Sequence, residues 1–248
     1  MKSTDQFFMD RLLKRLMPFK DLIGRLGIKQ FYVGGSVFLE SYNDVDVYFQ
    51  KYSFESSSLL PQLREIPECN IIVSTANAIT VRFNNKILQF CRYEKESIEE
   101  LIDSFDFAHT QIGASVLTDS NEKDYFLIAG LYYTEAFKTF RMTGETHYTG
   151  TEYPLSSLVR IFKYKKYFIG RSYIIPVIQI LNDIISRGYY DYGDFLDQLN
   201  AVDIGLLPEE INDAQEDLVT LFNLLEGKGN AKPKYEPAQG EEGEDLPF

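Results

Sequence analysis

The sequence predicts an α+β protein: a mixed sheet with flanking helices, then a helical segment and a disordered acidic tail. Short runs of β-branched and aromatic residues, separated by turn signals, recur up to about residue 130. Beyond Leu131 these runs fade, and apolar residues recur at helical spacing instead. From Gly227 the composition shifts to Gly, Lys, Pro and Glu, which cannot bury enough apolar surface to fold. The expected division is therefore 1–130 for the sheet domain, 131–226 for the helical domain and 227–248 for the tail.

Taken in order, residues 4–27 carry one apolar stripe: Phe7, Phe8, Leu12, Leu13, Leu16, Phe19, Leu22, Ile23 and Leu26. Pro18 is expected to break it into two helices. Arg11, Lys14, Arg15 and Lys20 lie mostly off the stripe, on what is expected to be a solvated face. Phe31, Tyr32 and Val33 form a short strand, Gly34-Gly35-Ser36 a tight turn, and Val37 to Ser41 a brief helical segment. A strand carrying Asp44 and Asp46 follows. Tyr52 to Ile66 reads as a loop and short helix, and Asn70 to Ser74 and Ala78 to Phe83 as strands. Asn84-Asn85 marks a hairpin turn into a strand over Lys86 to Tyr93. Ser97 is placed to cap a helix within Lys95 to Ser104, and Phe105 to Leu117 resumes strand character. A further short apolar run spans Tyr125 to Ala129. Helices are expected from Pro154 to about Ile169, from Ser172 to Ser186 and from Pro208 to Leu225.

The chain of 248 residues is long enough for a real core, and no apolar run approaches the roughly 20 residues a membrane span needs. The N-terminal segment lacks a signal-peptide core, so a cytoplasmic protein is expected. Cys69 and Cys91 sit in no metal-ligand spacing and read as free thiols, and two histidines are too few for a His-rich site. The formal charge is −12, but twelve acidic and three basic residues lie from Ala201 onward. The first 200 residues are therefore close to neutral, and bulk acidity excludes little there.

The chemistry is concentrated in FYVGGSVFLESYNDVDVYFQ, residues 31–50. Side chains two apart on a strand share a face, so Asp44 and Asp46 project together while Val45 and Val47 pack on the other side. Two carboxylates that close repel each other unless a cation sits between them, which suits a hard divalent ion such as Mg²⁺. The GGS turn at a helix start supplies backbone N–H groups and a hydroxyl suited to phosphates.

Apolar strand, GGS, short helix and D-V-D-V together resemble the signature of the polymerase-beta-like nucleotidyltransferase superfamily. Its members include poly(A) polymerases, CCA-adding enzymes, antibiotic nucleotidyltransferases and oligonucleotide synthases. The resemblance implies that residues 1–130 are a nucleotidyltransferase catalytic domain binding Mg²⁺ (or Mn²⁺) and a nucleoside triphosphate. Its metals activate a hydroxyl for in-line attack on the α-phosphorus, with release of pyrophosphate. It assigns Asp44 and Asp46 to the metal, and Gly34, Gly35 and Ser36 to the β- and γ-phosphates. Seven residues separate Ser36 from Asp44, a shorter spacing than many members show.

The third carboxylate is where this sequence departs from the superfamily's pattern. The matching position in KILQF is Gln89, a poor Mg²⁺ ligand. Large-virus and phage members have a similar Gln-apolar strand followed by a helix and an FD-strand, so either Asp106 in SFDFAHTQIG is the third ligand or the site has only two carboxylates and is impaired. SLVRIFKYKKYFIGR resembles the R-x-x-K-Y helix of the same members, which implies that Arg160 and Lys163 meet the triphosphate or the acceptor backbone, against the alternative of a solvated basic face. Lys165 falls amid the apolar face of that helix, either snorkelling or turned towards the cleft. His109 is expected to be a satisfied sheet residue rather than a base.

The last residues, Asp245, Leu246, Pro247 and Phe248, follow an acidic run and resemble the tip of bacterial and phage single-stranded-DNA-binding proteins. A terminal Phe with its own carboxylate suits a small apolar pocket rimmed by Arg or Lys on a protein partner. The expected function is thus transfer of a nucleoside monophosphate from an NTP to a hydroxyl acceptor, a nucleic acid or tRNA end. The expected setting is a phage- or virus-like protein in the host cytoplasm. The alternative is a catalytically degenerate accessory that recruits a replication or transcription partner through its tail.

Overall fold

The computed structural model describes residues 3–40, 42–50, 58–74, 78–119, 125–168 and 173–188. The helix expected over Pro208 to Leu225 and the tail at 227–248, with Asp245, Leu246, Pro247 and Phe248, lie outside the described residues.

The Ser3 hydroxyl accepts from the Gln6 N–H and caps α1 (Thr4–Leu16), which buries Phe8, Leu12 and Leu16 on one stripe. Pro18 cannot donate to a continuing helix, and Met17–Phe19 tightens into a 3-10 turn before α2 (Lys20–Arg25). Phe19, Leu22, Ile23 and Leu26 continue the buried stripe, whereas Phe7 is 50 % exposed, just outside it.

β1 (Gln30–Gly34) runs into a 3-10 turn at Gly35–Phe38, and then come β2 (Val45–Gln50) and α3 (Leu59–Arg64). β3 (Asn70–Ser74), β4 (Ala78–Phe83) and β5 (Lys86–Lys95) precede α4 (Ile98–Asp103). Asn84 and Asn85 turn the β4–β5 hairpin with φ of 49° and 57°, a left-handed pair that Asn tolerates. Ser97 caps α4 by accepting from the Glu100 N–H, and the Glu100 carboxylate accepts from the Glu96 N–H. β6 (Ile112–Thr118), β7 (Phe126–Tyr133), α5 (Glu135–Thr143), α6 (Pro154–Lys163) and α7 (Ile174–Arg187) complete the described elements.

The seven strands form one mixed sheet in the order β3-β4-β5-β2-β1-β6-β7. β2 and β5 pair in parallel, and every other neighbouring pair is antiparallel. Phe31 and Val33 of β1, Val45, Val47 and Phe49 of β2, and Ile112, Ala114 and Val116 of β6 join one core with α1, α2 and α3. On the opposite face Tyr32, Ile98, Leu101 and Ile102 pack with Tyr48, Phe105 and Tyr132. The expected mixed α/β sheet with flanking helices is what the chain forms.

Three local expectations change. Phe105 to Gln111 is no strand: Phe107 makes one bridge to Tyr148, and Ala108–Thr110 is a 3-10 turn. The Thr110 hydroxyl donates to the Phe107 carbonyl at 2.8 Å and Gln111 Nε2 to the Phe105 carbonyl at 2.9 Å. These local side-chain bonds compete with extended pairing until Ile112. α5 has helix signals that the periodicity reading passed over: Thr134 caps it, Glu135 sits in its first turn, and Gly144 ends it at φ 74°. The helix opened by Pro154 stops at Lys163, not near Ile169, and a 3-10 turn follows at Lys165–Tyr167.

Cys69 and Cys91 are free thiols. Among the described residues no helix is long and apolar enough to cross a membrane.

Two glycines hold the motif corner open. A Cβ on Gly34 would lie 2.8 Å from two carbons of the Phe105 ring, and Gly35 has φ 80°. Gly34→Ala is expected to cost about 1–3 kcal/mol by forcing that ring aside. Thermal denaturation checks this, and an unchanged midpoint would show that Phe105 yields freely.

Candidate functional site

The candidate site is built at the end of β1 and the start of β2. Because Val45, Val47 and Phe49 face the core, Asp46 and Tyr48 face the other side of the sheet, with Asp44 two residues before Asp46 at the strand's entrance. Asp44 is 3 % exposed. The β1–β2 register pairs Tyr32 with Tyr48 and Val33 with Val47, so the next positions along are Gly34 and Asp46. The two-glycine turn and the carboxylate pair are therefore neighbours across one ladder.

β5 borders β2 on the other side, and its register sets Gln89 beside Asp46. The position at which the superfamily's pattern expects an acid is thus filled by an amide. Gln89 Nε2 donates to the buried Thr80 hydroxyl at 3.1 Å, and the Cys91 thiol lies 3.8 Å from Gln89 Oε1.

The turn after Gly34 is gripped from behind by α1. Arg11 Nη1 donates to the Phe38 carbonyl at 2.7 Å, and Arg15 donates to the Val37 and Glu40 carbonyls. The Arg15 guanidinium also stacks 3.9 Å from the Tyr42 ring centroid. Burial lowers the Arg15 pKa, against the opposing pull of Tyr42. Two of the basic residues expected on a solvated face instead bond the motif's own backbone. Periodicity carries no signal for this, because it identifies the face of a helix and not what approaches that face.

Asp106 arrives from the turn after α4 and is 3 % exposed. Its Oδ2 accepts from the Ser157 hydroxyl at 2.8 Å and from Arg160 Nη1 at 3.3 Å, both on α6. Its backbone carbonyl accepts from the Thr149 N–H at 3.0 Å, and Ala108 donates to the His147 carbonyl at 3.0 Å. The 145–149 segment is thereby bonded alongside 105–109.

Electrostatics couple these groups through two tyrosines. Burial raises the Tyr48 phenol well above its ordinary pKa; Cys91 and Asp46 raise it further and Arg160 lowers it. Burial also pushes Tyr164 up to about 12, with Lys163 and Arg160 opposing and Asp106 and Asp44 adding to it. For Arg160, burial disfavours the charge, but Asp106, Tyr164 and Tyr48 outweigh it and the pKa is raised. Arg160 thus stays cationic within electrostatic reach of the same tyrosines that feel Asp44 and Asp46.

Asp44, Asp46, Gly34, Gly35, Ser36, Asp106 and Arg160 converge on this end of the sheet. Lys163 is exposed at the end of α6, 5.8 Å from the Tyr164 ring centroid. Lys165 lies in the 3-10 turn beyond the helix and is exposed, so the helical spacing that placed it among apolar residues stops short of it. Among the described residues no three His, Cys, Asp or Glu side chains are grouped to hold a metal ion. Among the described residues Asp44 and Asp46 offer a hard-oxygen pair suited to a divalent cation, with Gln89 the backbone neighbour of Asp46 on β5. Tyr48, Ser157 and Tyr164 were not foreseen as site residues. Tyr48 was legible, being two positions beyond Asp46 on the same face.

No protein-family model and no curated protein matches this chain. Among solved structures it is similar to a Thermotoga maritima CCA-adding enzyme complexed with tRNA, at 13 % identity and a TM-score of 0.47, over 88 % of this chain and 55 % of that one. It is also similar to a CCA-adding enzyme with CTP, at 12 % identity and a TM-score of 0.46, over 90 % and 54 %. A tRNA-processing enzyme in an apo form matches at 14 % identity and a TM-score of 0.42, over 91 % and 59 %. The chain spans little more than half the length of these structures.

His109 lies in the 3-10 turn and not on a strand. It is fully buried, its Nδ1 is 2.8 Å from the Thr146 hydroxyl, and its ring centroid is 4.3 Å from Tyr164 and 4.6 Å from Tyr167. Burial, reinforced by Lys166 and Lys163, lowers its pKa from 6.5 to about 3. The unfolded chain therefore binds a proton here that the folded chain refuses, so this contribution is full above pH 6.5 and is lost as pH falls towards 3. Between pH 6.5 and 5 His109→Gln should flatten the stability–pH profile by up to ~1.4 kcal/mol per pH unit, measured by urea denaturation. Equal slopes in the two proteins would contradict the buried neutral imidazole.

Proposed function

We propose that this chain is a metal-dependent nucleotidyltransferase. It moves a nucleoside monophosphate from an NTP to a hydroxyl acceptor, a nucleic acid or tRNA end, and releases pyrophosphate. The observation that carries this reading is one juxtaposition. Asp44 and Asp46 stand at the start of β2, a two-glycine turn adjoins Asp46 on β1, and Arg160 is held at 3.3 Å by Asp106, whose neighbour Phe105 packs against Gly34.

Asp44 and Asp46 supply a hard anionic pair for Mg²⁺ or Mn²⁺, which, when bound, polarises the phosphate oxygens and acidifies the attacking hydroxyl. Gly34 and Gly35 leave the motif corner free of Cβ atoms, and the Arg11 and Arg15 bonds hold that corner in place. Gly34, Gly35 and Ser36 would hold the β- and γ-phosphates at this turn. Arg160 offsets phosphate charge from the α6 side, and Lys163 adds an exposed cation at the end of that helix. Tyr48 and Tyr164 remain protonated at neutral pH, so their O–H groups orient and do not act as bases.

A second reading is favoured by Gln89, which stands beside Asp46 where an acid would strengthen metal binding. In it the fold is a scaffold, and the acidic tail ending in Asp245, Leu246, Pro247 and Phe248 recruits a protein partner. Calorimetry with Mg²⁺ and each NTP separates the two, since only the enzyme binds both.

Asp44→Asn and Asp46→Asn should each lower transfer from a labelled NTP by at least about 10²-fold. Removing one of two facing carboxylates relieves repulsion, so the melting temperature without metal should hold or rise. Full transfer by the double variant would refute the mechanism.

A further inference from the structure

We infer that Asp106 is the positioning residue for Arg160, and not a third ligand of the cation assigned to Asp44 and Asp46. This rests on the triphosphate reading above and deepens it. It divides the acidic residues of the site into two with separate jobs: one pair for the metal, one carboxylate for the phosphate-binding arginine.

The carboxylate of Asp106 is turned to α6. Its side chain is 4 % exposed, and its Oδ2 takes both the Ser157 hydroxyl at 2.8 Å and Arg160 Nη1 at 3.3 Å. The backbone on either side is clamped. The Phe105 carbonyl accepts from Gln111 Nε2 at 2.9 Å and from the Thr149 hydroxyl at 2.8 Å, and the Asp106 carbonyl accepts from the Thr149 N–H. Swinging this carboxylate towards Asp44 and Asp46 would take a buried charge away from both of its side-chain donors, Ser157 and Arg160, which is costly. Consistent with that, Asp106 forms no group of three potential metal ligands with the other two acids.

Arg160 gains what a long side chain otherwise lacks, a fixed direction. An arginine loses substantial rotamer freedom when immobilised, and Asp106 with Ser157 imposes that loss before any ligand arrives. The Asp106–Arg160 pair stands beside the motif strand, because a Cβ on Gly34 would lie 2.8 Å from the ring of Phe105, the residue before Asp106. A planar guanidinium with five N–H donors can hold a carboxylate oxygen and present another edge to a phosphate oxygen.

A double-mutant cycle on the full chain tests this, with inorganic triphosphate and Mn²⁺ alone as separate calorimetric probes. Asp106→Asn should weaken triphosphate binding about tenfold in the wild-type background and less than about twofold when Arg160→Ala is already present. Mn²⁺ affinity should be unchanged by Asp106→Asn in either background. A tenfold loss of Mn²⁺ affinity in both backgrounds would make Asp106 a metal ligand and overturn the inference, as would Arg160→Ala binding triphosphate like wild type. If Asp106→Asn does not fold, Ser157→Ala carries the test: a threefold triphosphate loss that vanishes with Arg160→Ala supports it, and no loss overturns it. If wild type binds neither probe, the functional reading fails by itself. The positioning claim then stands or falls on the Arg160 Nε–H resonance, which should be resolved in wild type and averaged in Asp106→Asn.

Discussion

The site depends on an alternation that the core enforces. Val45, Val47 and Phe49 must be buried against α1–α3, so a strand's period of two sends Asp46 and Tyr48, with Asp44 ahead of them, to the opposite face. A slip of one residue would bury the carboxylates and expose three apolar side chains, each worth about 1.5–3 kcal/mol of burial. Hydrophobic burial thus holds two mutually repelling groups side by side. No polar interaction within the site has to do it.

Around that pair, separate parts of the chain contribute distinct supports. α1, from the first residues, bonds the carbonyls of the turn with Arg11 and Arg15. Gln89 on β5 sets the polar neighbour of Asp46. α6, more than a hundred residues later, brings Ser157 and Arg160 to Asp106. Gly34 ties two of these together, because its missing Cβ is what lets the Phe105 ring, next door to Asp106, lie against the motif strand.

How much of this was legible in the sequence follows from the range of each interaction. The strands at 70–74, 78–83 and 86–95, the Asn84-Asn85 turn, the Ser97 cap and the break at Pro18 are local, and their residue types state them directly. The D-V-D alternation and the place of Gln89 were legible for the same reason. Phe105 to Gln111 misread as a strand because its apolar residues alternate, while the deciding bonds come from Thr110 and Gln111 side chains and from the distant Thr149. The partners of Arg11, Arg15 and Asp106 lie 22 to 54 residues away and leave no periodic trace.

The parallel pairing of β2 with β5 has a consequence for how the site comes into being. Val45 meets Leu88 and Asp46 meets Gln89 only after the chain between them has returned through α3, β3 and β4. The β4–β5 hairpin closes over two residues and can form early, whereas β1 must wait for β6, with Gln30 pairing to Leu117. During synthesis the strand that bears Asp44 and Asp46 leaves the ribosome long before either flanking strand's full set of partners exists. The carboxylate pair is therefore a late product of folding. An incomplete chain carries both acids at a strand with only its β1 ladder available, before β5 can bring Gln89 beside Asp46.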